Sequence, residues 1–192
     1  MWSALPATAC RSCETAPSDR LTLNGTELPV MVRHFSIRAA DCPSYYVIGD
    51  IIRVRITGAE THGAYSAVEV ISQPGGGPWF LHTHEPQETF HVLEGVFEVY
   101  GQDENGEKYA IRADVGDTVQ VPANVPHGFR NVGESVGRML LIYEPADPML
   151  RFFAEVGLPV PAEGTASITD SRTPDEILAI LRRHMTLVEM PG

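Results

Sequence analysis

The chain has 192 residues, the size of one domain with tails and too short for two full domains. Apolar residues make up 43% and charged residues 20%, with 17 Gly and 15 Pro scattered without period; this excludes a mostly disordered or collagen-like chain and favours a turn-rich β architecture. Lys and Arg total 14 against 25 Asp and Glu, a formal charge of −11 with no concentrated basic patch, so no nucleic acid partner is expected.

No apolar run approaches the roughly 18 to 20 residues that a membrane-spanning helix needs. The first residues, Met1 to Cys13, hold no Lys or Arg before Arg11 and no sustained apolar run, unlike a secretory signal. A cytoplasmic protein with no membrane partner is the expectation. Three cysteines are too few, and odd in number, for a disulfide framework. Cys10 and Cys13 form a CxxC, but no second ligand pair follows at zinc-site spacing and no strand leads into a helix there, so they read as two thiols in a tail.

Residues 1–30 mix Pro, Ser, Thr, Ala and charges without periodicity and read as a loosely ordered leader, with Met31 as a second potential translation start. A barrel domain over 31–161 follows, then a C-terminal loop and helix over 162–192. From Tyr45 onward, β-branched and aromatic runs broken by glycine predict ten strands: Tyr45 to Ile48, Ile51 to Thr57, Ala67 to Ser72, Trp79 to His84, Glu88 to Leu93, Val96 to Tyr100, Lys108 to Arg112, Thr118 to Val121, His127 to Asn131 and Arg138 to Tyr143. Gly75-Gly76-Gly77 and Asn105-Gly106 are turn chemistry, the latter favouring a type I′ hairpin. With no long helical pattern between them, the strands should be antiparallel in a sandwich or barrel. Two helices end the chain. Asp147 reads as an N-cap with Pro148 at the first helical position and Gly157 as the stop; Thr173 and Glu176 have capping-box spacing for a helix reaching about Met185. Both should cover a sheet face or a barrel mouth.

Three metal-binding side chains lie close together in sequence: His82, His84 and Glu88. Residues two apart on a strand share a face, so His82 and His84 present two imidazoles to one side. Glu88 shares its strand face with Phe90 and Val92, and a third imidazole, His127, shares its own with Phe129. Three histidines and one carboxylate suit Fe, Ni, Co, Mn, Cu or Zn as one divalent ion, with no thiolate to select among them. His91 falls on the opposite face from Glu88 and reads as structural or surface; His62 sits in a loop with no partner identifiable from sequence, His34 and His184 flank the barrel, and none of the three is given a role. Phe80, Phe90 and Phe129 are either barrel filling or the apolar walls of a substrate pocket.

The spacing of glycines and prolines around these ligands resembles the two motifs of the cupin superfamily. Gly76, five residues, His82, one, His84, three, Glu88, six, Gly95 is similar to the first; Gly116, five, Pro122, one, Asn124, two, His127, three, Asn131 is similar to the second. Asn124 stands where the family usually has glycine, a mild departure because Asn tolerates positive φ. The resemblance implies an all-β fold, a small jelly-roll β-barrel with short C-terminal helices, in which each motif forms a hairpin and His82, His84, Glu88 and His127 converge inside. Gly49-Asp50-Ile51-Ile52, the Glu88 to Gly95 strand and Phe152 to Pro159 further resemble the single-domain bacterial quercetin 2,3-dioxygenases, which open a flavonol ring with dioxygen and release carbon monoxide. Those enzymes often have four residues between the second histidine and the glutamate, where this chain has three. That likeness implies a metal-dependent dioxygenase with a flavonol or related enolisable or phenolic substrate, dioxygen as co-substrate, and a homodimer. In it Glu88 is a ligand, a catalytic base or both. Another cupin enzyme, an isomerase or decarboxylase, or a non-catalytic ligand-binding cupin are the alternatives.

Overall fold

The computed structural model describes residues 21–23, 26–28, 35–78, 80–160 and 170–189. Cys10, Cys13, Met31, His34 and Trp79 lie outside the described residues, as do most of 1–30 and the segment 161–169. The chain divides into two units, Met1–Cys42 and Pro43–Gly192. In the first, β1 (Leu21–Leu23) pairs antiparallel with β2 (Thr26–Leu28), and Ala39–Asp41 form one 3-10 turn.

The second unit runs β3 (Ser44–Val47), β4 (Asp50–Ile56), α1 (Gly58–Thr61), β5 (Ser66–Ser72), β6 (Leu81–Thr83), β7 (Gln87–Glu94), β8 (Phe97–Gln102), β9 (Lys108–Ala113), β10 (Thr118–Val121), β11 (His127–Asn131), β12 (Gly137–Glu144), α2 (Asp147–Val156), β13 (Leu158–Val160), α3 (Pro174–His184) and β14 (Thr186–Glu189). All ten expected strands form, each with ends within two residues of the expected ones. The strands make two antiparallel sheets, one of seven in the order β10-β7-β12-β5-β4-β3-β13 and one of five in the order β14-β6-β11-β8-β9. This is the jelly-roll, cupin-type arrangement. β13 and β14, which no alternation marks, are short edge strands, and Pro159 is tolerated in β13 because an edge position leaves its missing N–H without a ladder partner.

Alternation puts one face of each strand inside. Asp50, Ile52 and Val54 of β4, Val68 and Val70 of β5, Phe90 and Val92 of β7, and Met139, Leu141 and Tyr143 of β12 are buried from the larger sheet. Phe97, Val99 and Phe129 meet them from the smaller one, with the Phe90 and Phe129 rings 5.8 Å apart. Each of the aliphatic, methionine and phenylalanine side chains among these contributes roughly 1.5–3 kcal/mol on full burial.

Four local expectations are corrected. First, neither motif forms a paired hairpin: β6 and β7 belong to different sheets, as do β10 and β11. Each motif therefore crosses from one sheet to the other, and in the first His82 and His84 face Glu88 across the interior. Second, Asn105-Gly106 is not a type I′ turn, because only Gly106 has positive φ, whereas that turn needs it at both positions. Gly106 N–H instead bonds the Asp103 carbonyl at 3.0 Å while the Asp103 carboxylate accepts from the Asn105 and Glu107 amides. Third, α2 begins at Asp147 itself with Ala146 in the cap position and no side-chain cap bond. Fourth, Thr57 does not end a strand; it caps α1 through a reciprocal capping box with Glu60, and His62 closes that helix with φ of 55°.

Candidate metal centre

His82 lies in the middle of β6 and His84 just beyond its end, so the two-residue strand period sends both rings inward. The loop before β6 is anchored by Gly75 N–H to the Asn131 carbonyl and Asn131 N–H to the Gly76 carbonyl, both 2.9 Å. Gly77 is required there: its φ is +116°, and a Cβ would stand 2.2 Å from the Phe129 carbonyl oxygen. His127 opens β11, where it is the register partner of His82. The turn before it passes through Asn124, whose φ of 61° is the left-handed conformation that Asn accepts. Glu88 comes from the other sheet, near the start of β7, with Val121 of β10 and Tyr143 of β12 as its register partners.

These four side chains converge. All are buried, and one ring nitrogen from each of His82, His84 and His127 lies within 4.8 Å of the others. Glu88, 3% exposed, places Oε2 at 3.0 Å from His127 Nε2 and 3.2 Å from His84 Nε2. The other nitrogen of each ring is tied to the backbone. His84 Nδ1–H donates to the Pro86 carbonyl and His127 Nδ1–H to the Val125 carbonyl, both at 2.8 Å, and His82 Nδ1–H to the Phe80 carbonyl at 3.4 Å. A carbonyl only accepts, so Nδ1 carries the proton in each ring and Nε2 of the neutral imidazole offers a lone pair.

That protonation pattern bears on what the centre holds. With neutral rings, the lone pairs of His84 and His127 would face the Glu88 carboxylate oxygen without a proton between them. Either an added proton or a cation relieves this, and three converging Nε2 lone pairs beside a carboxylate are the donor set of a divalent metal. His82, His84 and His127 thus could hold one ion, with Glu88 beside it.

The charges are strongly coupled. Burial works to raise the Glu88 carboxyl, but hydrogen bonds from His127 and His84 and their charge outweigh it and hold Glu88 well below the usual carboxylate range. Burial, followed by the neighbouring His127 and His84, depresses His82 to about 3, so it stays neutral. His127 moves the other way: burial opposes its charging, while the Glu88 bond and charge raise it. Tyr143 was not singled out in the sequence, where it is only the last apolar residue of an alternating strand. Its hydroxyl is held neutral, well above the usual tyrosine range, by burial, by the Glu88 charge and by a hydrogen bond with Glu88.

A cavity opens from this centre. The four polar side chains share it with Phe80, Phe129, Met149, Phe152 and Leu181, so α2 and α3 cover the open side of the barrel. Phe90 does not line it; it is buried behind His127, with ring centroids 6.4 Å apart. His91 points out of the barrel and bonds Thr118 Oγ1 at 2.9 Å, and His184 bonds the Glu155 carboxylate on α2. His62 is exposed at the end of α1.

Residues 68–143 match the family model of the cupin domain. Polyketide synthase CurC of Streptomyces cyaneus is 40% identical over 68 residues, 35% of this chain and 41% of that protein. The chain thus spans less than half the length of this curated relative. Among solved structures, the oxalate decarboxylase of Lactobacillus farciminis in its formate complex superposes with a TM-score of 0.50 at 20% identity, over 62% of this chain and 37% of that one. The polyketide cyclase RemF from Streptomyces resistomycificus gives 0.49 at 19% identity, over 58% and 80%. No helix among the described residues is long and apolar enough to cross a membrane. The two histidine-bearing motifs lie within the residues 68–143 that match the cupin-domain family model, and the two antiparallel sheets are the fold that this match implies.

Proposed function

We propose that this protein is a metal-dependent, quercetinase-like dioxygenase acting on an enolisable or phenolic small molecule. One observation carries the reading: three imidazoles whose Nε2 atoms are turned inward by Nδ1–carbonyl bonds stand beside the buried Glu88 carboxyl in a mostly apolar cavity. His82, His84 and His127 would hold the ion, with Glu88 beside them as ligand, base or both. When bound, a divalent ion supplies Lewis acidity that stabilises an enolate or phenolate oxygen.

The chain's own part is the proton and the surroundings. Glu88, within hydrogen-bond distance of two of the three histidines, is placed to accept the proton of the substrate hydroxyl. Tyr143 orients that carboxylate through its hydrogen bond. Phe80, Phe152 and Met149 exclude water, so the enolate carbon is left to react with dioxygen. The likeness of the Glu88 to Gly95 strand and of Phe152 to Pro159 to bacterial quercetinases supports dioxygen as the second reactant. The CurC similarity supports the substrate class, because polyketide chains are rich in β-dicarbonyl units that enolise and close to phenols.

The same similarity favours one other reading, ring closure of a polyketide by the same deprotonation without dioxygen. An oxygen-electrode assay of the metal-loaded protein with quercetin and with polyhydroxylated naphthalenes separates the two. Uptake of dioxygen in proportion to substrate lost supports the dioxygenase. Turnover of a polyketide without uptake supports the cyclase, and binding without turnover of either would make the domain a ligand-binding module.

A further inference from the structure

β9 is the last strand of the five-stranded sheet and β10 the first of the seven-stranded one, so no ladder closes the flank of the barrel where they meet. Residues opposite each other in a ladder share a face. Val99 and Gly101 of β8 face the interior, and their register partners on β9, Ile111 and Tyr109, are therefore turned inward too. Ala113, in the same inward set, is 1% exposed, whereas Ile111 and Tyr109 are 46% and 45% exposed. The inner face of β9 thus comes into the open along the strand, and the seam between the sheets is sealed at Ala113 but not at Tyr109.

That opening is level with the three histidines. Tyr109 is the register partner of Gly101, and Gly101 is the register partner of His127. Across the seam, Val121 of β10 is the register partner of Glu88. The middle position of the row from Tyr109 to His127 has no side chain, and the Tyr109 ring lies over it: a Cβ on Gly101 would stand 2.7 Å from the ring's Cζ and from its hydroxyl oxygen. A small cavity follows the seam, walled mainly by Val99, Ile111, Val119, Val121 and Val125, with room for roughly two water-sized molecules. Among the described residues, His127 alone lines both this cavity and the large one covered by α2 and α3.

Walls of valine and isoleucine offer dispersion contacts and few hydrogen bonds, which suits a small apolar molecule better than water. The reaction proposed above needs such a molecule, and needs it while an organic substrate fills the large cavity and obstructs that way in. We propose that the seam between β9 and β10 is the entry route for dioxygen, covered by the Tyr109 ring and leading to the His127 side of the centre. The inference rests on the dioxygenase reading and adds to it a separate path for the second reactant.

The test uses the full-length, metal-loaded protein and three substitutions at residues that do not line the large cavity. Ile111→Trp narrows the seam from its exposed rim, Val119→Phe narrows it from the inner wall, and Tyr109→Ala uncovers it. In crystals pressurised with xenon, a small apolar probe, the wild type should hold xenon in the seam and the two narrowed variants should not. Oxygen-electrode kinetics with quercetin then give the constants for dioxygen and for quercetin separately. Narrowing should lower kcat/KM for dioxygen by about tenfold with KM for quercetin and metal content unchanged, and Tyr109→Ala should raise it. Val119→Phe decides if the tryptophan turns out to solvent, and Ile111→Trp decides if the phenylalanine prevents folding. A wild-type seam empty of xenon, or an unchanged kcat/KM for dioxygen in a variant whose seam excludes xenon, would overturn the route and leave the dioxygenase reading standing. Absence of dioxygen uptake with every enol and phenol tried, despite xenon in the seam, would sink the dioxygenase reading and the assignment of the seam to dioxygen with it.

Discussion

His127 and His82 are register partners across the β11–β6 pair, and their rings stand 4.6 Å apart, centroid to centroid. Two strands of the smaller sheet thereby bring together imidazoles that are far apart in sequence. His84 completes the set at 4.8 Å from the His127 ring, and Glu88 faces it from the other sheet. The centre is therefore a property of the sheet-to-sheet packing, and each prediction below probes one part of it.

Replacing His82, His84 or His127 with Ala removes one of three inward nitrogen donors. Metal affinity should fall by more than the 10–100-fold associated with outer partners of a metal site, read by elemental analysis after dialysis. Circular dichroism should stay that of the folded protein, because the core of Phe90, Phe97, Met139 and Leu141 packs without the metal. Full occupancy in any one variant would remove that histidine from the ligand set.

Glu88→Gln keeps the shape of the side chain and removes its basicity. With Glu88 as general base, most of the metal stays bound and turnover falls by roughly 10²- to 10⁴-fold. Parallel metal analysis and oxygen uptake distinguish the roles: metal loss as large as that of a histidine variant makes Glu88 chiefly a ligand.

Tyr143→Phe deletes the hydroxyl that bonds Glu88 and leaves the ring packed 6.0 Å from that of Phe153. A hydrogen bond to a charged group is worth about 1.5–3 kcal/mol, so turnover should drop roughly ten- to a hundredfold with metal content preserved. An unchanged rate would show that Glu88 is oriented without it.

Asp50 makes stability depend on pH in a direction opposite to an ordinary paired carboxylate. Burial, against the lowering effect of a Ser72 hydrogen bond, raises its folded-state value to about 6, above the unfolded 3.8, so between those values the folded protein binds more protons and stability falls as pH rises. Above pH 6 the loss is on the order of 3 kcal/mol at ~1.4 kcal/mol per unit. Asp50→Asn lacks this slope. Thermal melts should place the variant above the wild type at pH 7.5 and bring the two together near pH 4; a variant that melts lower at both would give Asp50 a structural role.

Gly77→Ala tests the loop that sets the height of β6. The backbone φ of +116° alone costs a Cβ-bearing residue about 1–3 kcal/mol, and the 2.2 Å approach to the Phe129 carbonyl adds to it. The melting temperature should fall by at least several degrees, at about 2–4 °C per kcal/mol for a chain of this size. An unchanged melting temperature would mean that the loop shifts freely and does not position His82.

What the sequence by itself determined is local. Face alternation placed His82 with His84 and Glu88 with Phe90, because side-chain direction on a strand has period two whatever the neighbours are. Turn glycines at Gly95 and Gly116, and Asn124 in their company, marked backbone that must enter positive φ. The capping box at Thr173 and Glu176 was equally legible, since both halves lie within four residues.

The tertiary structure decided what depends on partners distant in the chain. That β6 pairs with β11 while β7 joins the other sheet is settled by where two apolar faces can be buried together, and no local pattern encodes the choice. The same packing moved Phe90 behind His127 instead of onto the cavity wall, brought Tyr143 to Glu88, and left Asp50 with one oxygen unpaired. A tyrosine or an aspartate in a strand reads alike in sequence whether it is paired or free, because hydrogen-bond satisfaction belongs to the assembled interior.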